Sequence, residues 1–217
     1  MKKAVKGGAD SITLHLREDR RHIQDRDLNL LKETVQTRLN LEMAATQEMT
    51  LIALKNKPDM VTLVPEKREE ITTEGGLDVI KHTKKLKEII QRLSDVNIPV
   101  SLFVDPVQDQ LEQSAEIKAG WIELHTGKYA LTQNNERALE LSILKESTAK
   151  AKSYGLKVNA GHGLTYQNVE PIAAIEGIEE LNIGHTIISR ALAVGLSQAV
   201  KEMKSLIINP RTDNCFI

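Results

Sequence analysis

Aromatic residues are scarce in this chain: one tryptophan, three tyrosines and two phenylalanines among 217 residues. That leaves no platform of rings on which nucleobases would stack. The formal net charge of −1 gives no global pull toward nucleic acid or an anionic membrane. The single cysteine, Cys215, cannot form an internal disulfide, which suits a reducing compartment. Nothing near it in sequence would lower its pKa and make it a nucleophile. No apolar run approaches the roughly 20 residues a membrane span needs. Met1-Lys2-Lys3-Ala4 is not followed by the hydrophobic stretch of a signal peptide. The expected location is therefore cytoplasmic. His-x-His and His-Glu-x-x-His are missing too, which argues against a metal centre built from His15, His22, Glu42 and His162.

What is present is a regular alternation. Short β-rich runs cover residues 11–17, 38–44, 60–65, 99–105, 121–126, 157–161 and 180–184. Most read as near-continuous apolar runs, as expected of strands buried on both faces of a parallel sheet. Helical patterns lie between them. Leu86, Ile89, Ile90 and Leu93 fall on one helical face, and Leu28, Leu31 and Val35 repeat the pattern more weakly. Thr46 is a candidate N-cap for a helix that must stop before Pro58. Further helices are expected over 135–154, closed by Gly155, and over 196–208, closed by Pro210. Residues 4–10 read as the last turn of a helix and its glycine stop. Strand–helix alternation of this kind predicts a single α/β domain over residues 1–217, of the (β/α)₈ barrel type, with seven of eight strand–helix units present.

In such barrels the working residues stand where strands end and the following loops begin. The strand ends here carry His15, Arg17 and His22; Glu42; Glu66; Glu123 and His125; Asn159 and His162; and Asn182 with His185. One histidine on an apolar strand is most simply a hydrogen-bonded core residue. Polar groups at five or six strand ends are harder to dismiss, because each unpaired buried one costs about 1–3 kcal/mol. Their convergence on a ligand would explain the pattern. Gly161-His162-Gly163 and Gly184-His185-Thr186 follow the last two strands, where a glycine loop and a helix N-terminus commonly hold phosphate. Arg17, Arg20 and Arg21 read either as a solvated face or as an anion clamp. No lysine lies inside a strand, since Lys67 and Lys157 fall outside or at a strand start. An enzyme-bound imine is therefore disfavoured.

These residues together resemble the pyridoxine 5′-phosphate synthase family. The matching strings are Leu14-His15-Leu16-Arg17-Glu18-Asp19-Arg20-Arg21-His22-Ile23, Asn40-Leu41-Glu42-Met43-Ala44 and Leu63-Val64-Pro65-Glu66-Lys67-Arg68. Thr72-Thr73-Glu74-Gly75-Gly76-Leu77-Asp78, Val158-Asn159-Ala160-Gly161-His162-Gly163-Leu164-Thr165 and Leu181-Asn182-Ile183-Gly184-His185 complete the set. The resemblance implies a (β/α)₈ barrel, usually a homo-octamer, that needs no metal or organic cofactor. It implies condensation of 3-amino-2-oxopropyl phosphate with 1-deoxy-D-xylulose 5-phosphate to pyridoxine 5′-phosphate, inorganic phosphate and water.

By the same resemblance His15 and Glu42 are general bases, His162 is a proton donor and Glu123 stabilises a transition state. Arg17, His22 and Thr72 would bind the deoxyxylulose phosphate; His162, Gly184 and His185 would bind the aminoketone phosphate. The family also begins with a strand bearing Asn-x-Asp-His and a later arginine, which this chain lacks. The expectation is thus a barrel N-terminally shortened relative to the family. An inactive barrel that keeps phosphate-ligand binding or subunit association is the competing reading.

Overall fold

The computed structural model describes residues 1–67 and 75–210. Seven strands follow one another in chain order: β1 (Ser11–His15), β2 (Arg38–Met43), β3 (Met60–Leu63), β4 (Val100–Val104), β5 (Trp121–His125), β6 (Lys157–Gly161) and β7 (Ile178–Asn182). Each pairs in parallel with the next, giving one sheet of order β1-β2-β3-β4-β5-β6-β7. The helices are α1 (Lys2–Lys6), α2 (Asp25–Thr34), α3 (Gln47–Asn56), α4 (Val79–Ser94), α5 (Gln108–Glu116), α6 (Gly127–Leu131), α7 (Asn134–Ser153), α8 (Val169–Ala173), α9 (His185–Val194) and α10 (Leu196–Ile208).

The helix boundaries follow local chemistry. The Thr46 hydroxyl accepts a hydrogen bond from Met49 N at 3.4 Å, capping α3 as its sequence implied. Asp78 caps α4 by accepting from Lys81 N at 3.1 Å. Along α4 the buried side chains include Leu86, Ile89, Ile90 and Leu93, the face read from the periodicity. On α2 only Leu28 is fully buried, while Leu31 and Val35 pack partly against the core. The opening helix α1 is anchored to α10, where Ser197 Oγ donates to Lys3 O at 2.6 Å.

Burial on both faces holds for the inner strands, β3 being buried at every position, but on β1, β2, β5 and β6 the composition alternates. Ile12, Leu14, Leu39, Leu41, Met43, Ile122, Leu124, Val158 and Ala160 are buried in one cluster with helix residues such as Leu28, Met49, Leu86 and Leu93. The intervening positions are Thr13, His15, Asn40, Glu42, Glu123, His125, Asn159 and Gly161. Period-two alternation puts these on the opposite face, away from the helices.

That polar face is concave. Thr13 Oγ1 on β1 donates to Asn182 Oδ1 on β7 at 2.8 Å, and Arg38 on β2 pairs with Glu180 on β7 at 2.6 Å. Side chains of the first and last strands meet only if the sheet is curled. Among the described residues no backbone ladder joins β7 to β1; the two ends meet through these side chains. The fold is therefore an α/β architecture with a curled, parallel, seven-stranded sheet. Among the described residues no helix is long and apolar enough to cross a membrane.

Candidate active site

The carboxyl ends of the strands gather two clusters. The first is built on β1, β2 and the loop after β3. His15 ends β1, and Glu42 lies opposite it in the β1–β2 register. The His15 ring stands between two carboxyl groups: Nε2 is 2.8 Å from Glu66 Oε1, and Nδ1 is 3.9 Å from Glu42 Oε2. Glu66 also accepts from the backbone N of Glu18 at 2.9 Å. Burial pushes the pKa of Glu42 up, and the neighbouring His15 only partly opposes it.

Glu123, on β5, lies deeper on the same concave face. It is 2% exposed, and burial pushes its pKa well above the ordinary carboxyl range. The nearby charge of Glu42 pushes the same way, while Asn182 Nδ2, donating to Glu123 Oε2 at 2.6 Å, pulls it down. A polar line continues across the sheet. Asn182 Oδ1 accepts from Thr13, Asn40 Nδ2 approaches Thr13 Oγ1 at 3.4 Å, and Thr62 Oγ1 donates to Asn40 Oδ1 at 3.0 Å. Gly161 on β6 makes room for this line. A Cβ there would collide with Glu123 Oε1 and sit 3.0 Å from the backbone oxygen of Asn182.

The second cluster surrounds His162, just beyond β6. His162 is exposed at the mouth and holds φ at +84°, in the left-handed region that a side chain rarely adopts. Thr126 holds it there, its hydroxyl lying 2.7 Å from Gly161 O and 2.6 Å from His162 O. The His125 ring meets the His162 ring edge-on at 4.9 Å between centroids, and Phe103 packs against both. Asp105, buried at the end of β4, is 3.0 Å from His125 Nδ1 and accepts from Gly76 N. Partial burial, then the neighbouring His125, lowers the pKa of His162.

The other expected site residues fall around these clusters. Arg17 and the exposed His22 lie on the loop after β1, with Arg17 loosely paired to Asp19 at 3.4 Å. The anion-clamp reading does not extend to Arg20, whose guanidinium is committed to Asp25 at 2.9 Å and Glu48 at 2.5 Å. Gly184 is the N-cap of α9 and His185 its first residue, so the helix expected to open after Gly184 is present. Thr72 lies outside the described residues. Gly75 lies close against the His125 ring.

Asp105 received no mention as a site residue in the sequence reading, and Glu66, His125 and Asn182 were noted at strand ends without a role. The signal for His125 was available: it stands two residues after Glu123 on one strand and so shares its face. Asp105 likewise ends a strand that the sequence had delimited.

A parallel sheet with acids, imidazoles and a glycine-capped helix N-terminus at its carboxyl end defines an α/β enzyme of the kind whose site is built from strand ends. The chain belongs to the PdxJ family: the sequence profile described as pyridoxal phosphate biosynthesis protein PdxJ matches residues 1–209. Among curated proteins, the pyridoxine 5′-phosphate synthase of Prochlorococcus marinus (strain NATL1A) is 86% identical over 208 residues, covering 96% of this chain and 85% of that protein. The protein of the same name from Synechococcus sp. (strain WH7803) is 66% identical over 210 residues, covering 97% and 85%.

Solved structures share the fold at low identity. The 3-keto-L-gulonate-6-phosphate decarboxylase of Vibrio cholerae matches with a TM-score of 0.67 at 12% identity, covering 97% of this chain and 89% of that one. The phosphoribosyl anthranilate isomerase of Thermus thermophilus matches with a TM-score of 0.62 at 15% identity, covering 94% and 92%.

Proposed function

We propose that this chain is a pyridoxine 5′-phosphate synthase. It joins 3-amino-2-oxopropyl phosphate to 1-deoxy-D-xylulose 5-phosphate and releases pyridoxine 5′-phosphate, inorganic phosphate and water. The observation that carries the reading is the His15–Glu42 pair with Glu123 behind it on the concave face, in a chain of the PdxJ family. Ring closure needs an imine between substrate amine and substrate ketone, several proton transfers, and loss of water and phosphate. The amine comes from the substrate, so no enzyme lysine takes part.

The residues suit those steps. Glu42 and His15 are the general bases; the raised pKa of Glu42 brings it nearer the pH at which it works. His162 is the proton donor. A lowered pKa makes its protonated form the stronger acid, and a bound phosphate favours that form by its charge. Glu123, protonated or hydrogen-bonded, stabilises charge that develops beside it. Arg17, His22 and Thr72 bind the deoxyxylulose phosphate. His162 and the α9 N-terminus at Gly184 and His185 bind the aminoketone phosphate, where backbone N–H groups point outward.

The architecture we propose is one (β/α)₈-type domain over residues 1–217, assembled into a homo-octamer in the cytoplasm, with no metal or organic cofactor. Mixing the purified chain with both substrates should release pyridoxine 5′-phosphate and phosphate in equal amounts, read by chromatography and a phosphate assay. Absence of both products, under conditions where the Prochlorococcus relative turns over, sinks the reading. Sedimentation velocity tests the octamer.

A further inference from the structure

We propose that Glu66 is the positioning residue of the His15 base: it fixes the imidazole tautomer so that Nδ1, facing Glu42, is the atom that takes the proton. This assignment rests on the synthase reading above and deepens it. Glu66 stands on the loop after β3, and its side chain is 3% exposed. Its Oε2 accepts from Glu18 N at 2.9 Å, which ties the carboxyl group to the loop after β1. Its Oε1, 2.8 Å from His15 Nε2, then takes the imidazole N–H.

A neutral imidazole has one N–H and one lone pair. With the proton on Nε2, the lone pair is on Nδ1. That atom is 3.9 Å from Glu42 Oε2, beyond a hydrogen bond, so the two bases stand side by side without bonding one another. A carboxylate behind an imidazole does the same work in catalytic triads, orienting the ring and stabilising the imidazolium that forms. Among the described residues the charged neighbours include Glu42 on β2, Glu66 and Lys67 after β3, and Glu18 and Arg21 after β1. Lys67 lies 3.4 Å from Glu18, and Arg21 feels the Glu66 charge.

The test uses Glu66→Gln and Glu66→Asp with two readouts. The first does not need turnover. Nitrogen chemical shifts of the neutral His15 ring, read by NMR, show which ring nitrogen carries the proton. In the wild type it should be Nε2. In Glu66→Gln the amide oxygen keeps the bond from Glu18 N, so the amide N–H faces Nε2 and the ring proton should move to Nδ1. Glu66→Asp keeps an acceptor there and should leave the proton on Nε2.

The second readout is kinetic. In Glu66→Gln, kcat should fall about 100-fold, with KM for both substrates within about twofold. A purely structural Glu66 would lower activity without moving the ring proton. An unmoved His15 proton in Glu66→Gln overturns the proposal whether or not the enzyme turns over. A moved proton with unchanged kcat overturns it as well. A moved proton in a chain whose wild type makes no product keeps the Glu66–His15 assignment and rejects the synthase reading instead.

Discussion

Glu123 offers a sharp test of how the concave face is balanced. It is 2% exposed and receives a hydrogen bond from Asn182 at 2.6 Å, and both burial and the charge of Glu42 raise its pKa well above the ordinary 4.5. The native state therefore holds a proton on this group after the unfolded chain has released it. Between 4.5 and the raised folded value, native protein binds one proton more than unfolded protein. Stability then falls as pH rises, by about 1.4 kcal/mol per pH unit. Below the unfolded value the penalty is absent; above the folded value it is fully expressed. Glu123→Gln keeps the shape and an oxygen for Asn182 but has no charge to bury. It should match wild type at pH 4 and exceed it at pH 8 by about 1–3 kcal/mol, the range for relieving an uncompensated buried group. For a chain of this size that is roughly 2–4 °C of melting temperature per kcal/mol. Thermal unfolding followed by circular dichroism at both pH values measures the difference. Turnover should fall in the same variant, an exchange of stability for activity. Equal gains at pH 4 and pH 8, or a loss at pH 8, would refute the reasoning.

Three further changes probe the same geometry. Gly161→Ala drives a methyl group against Glu123 and the Asn182 backbone, so it should destabilise by about 1–3 kcal/mol. It should also lower kcat about 100-fold through displacement of Glu123, read by denaturant unfolding and steady-state kinetics. His125→Phe keeps ring packing beside Phe103 but removes the imidazole next to His162, so the His162 pKa should rise toward its ordinary value, seen as a higher pH midpoint for acylation at that residue. Asn182→Ala leaves Glu123 and Thr13 without the partners they have across the sheet, costing about 1–3 kcal/mol at neutral pH. Because the Asn182 bond favours the ionised carboxyl, that loss should shrink as pH falls through the folded Glu123 value.

The order of elements was legible because it rests on local signals. Thr46 caps α3, the Leu86–Leu93 face of α4 is buried, and Gly184 opens α9, all from chemistry within a few residues. All seven strands lie at or within three residues of the runs read from sequence. Burial on both faces was legible, but the chemical difference between the two faces was not. A run such as Lys157-Val158-Asn159-Ala160-Gly161 looks broken by its polar members only when one asks which face each residue takes. The joining of Thr13 to Asn182 and of Arg38 to Glu180 depends on curvature, which no single strand records. The Glu66–His15 and Asp105–His125 pairs escaped for the same reason: each links groups 51 and 20 residues apart.

Period-two alternation thus divides the strands between two tasks. The outward residues, Leu14, Leu41, Leu102, Leu124 and their neighbours, bury against the helices and supply the hydrophobic driving force. That leaves the inward residues free to be polar, where an ordinary barrel would place Val, Ile or Leu. A carboxyl group set into this face is desolvated by the sheet around it, and few cations are near enough to restore its ionised form. Arg38 answers Glu180 at the opposite end of the strands, while Glu42 has His15 as its nearby basic group and Glu123 has an amide. Glu42 and Glu123 are therefore carboxyl groups whose pKa values burial in this face raises. A reaction made of successive proton transfers draws on that property, and the outward half of each strand provides the stability that makes it tolerable.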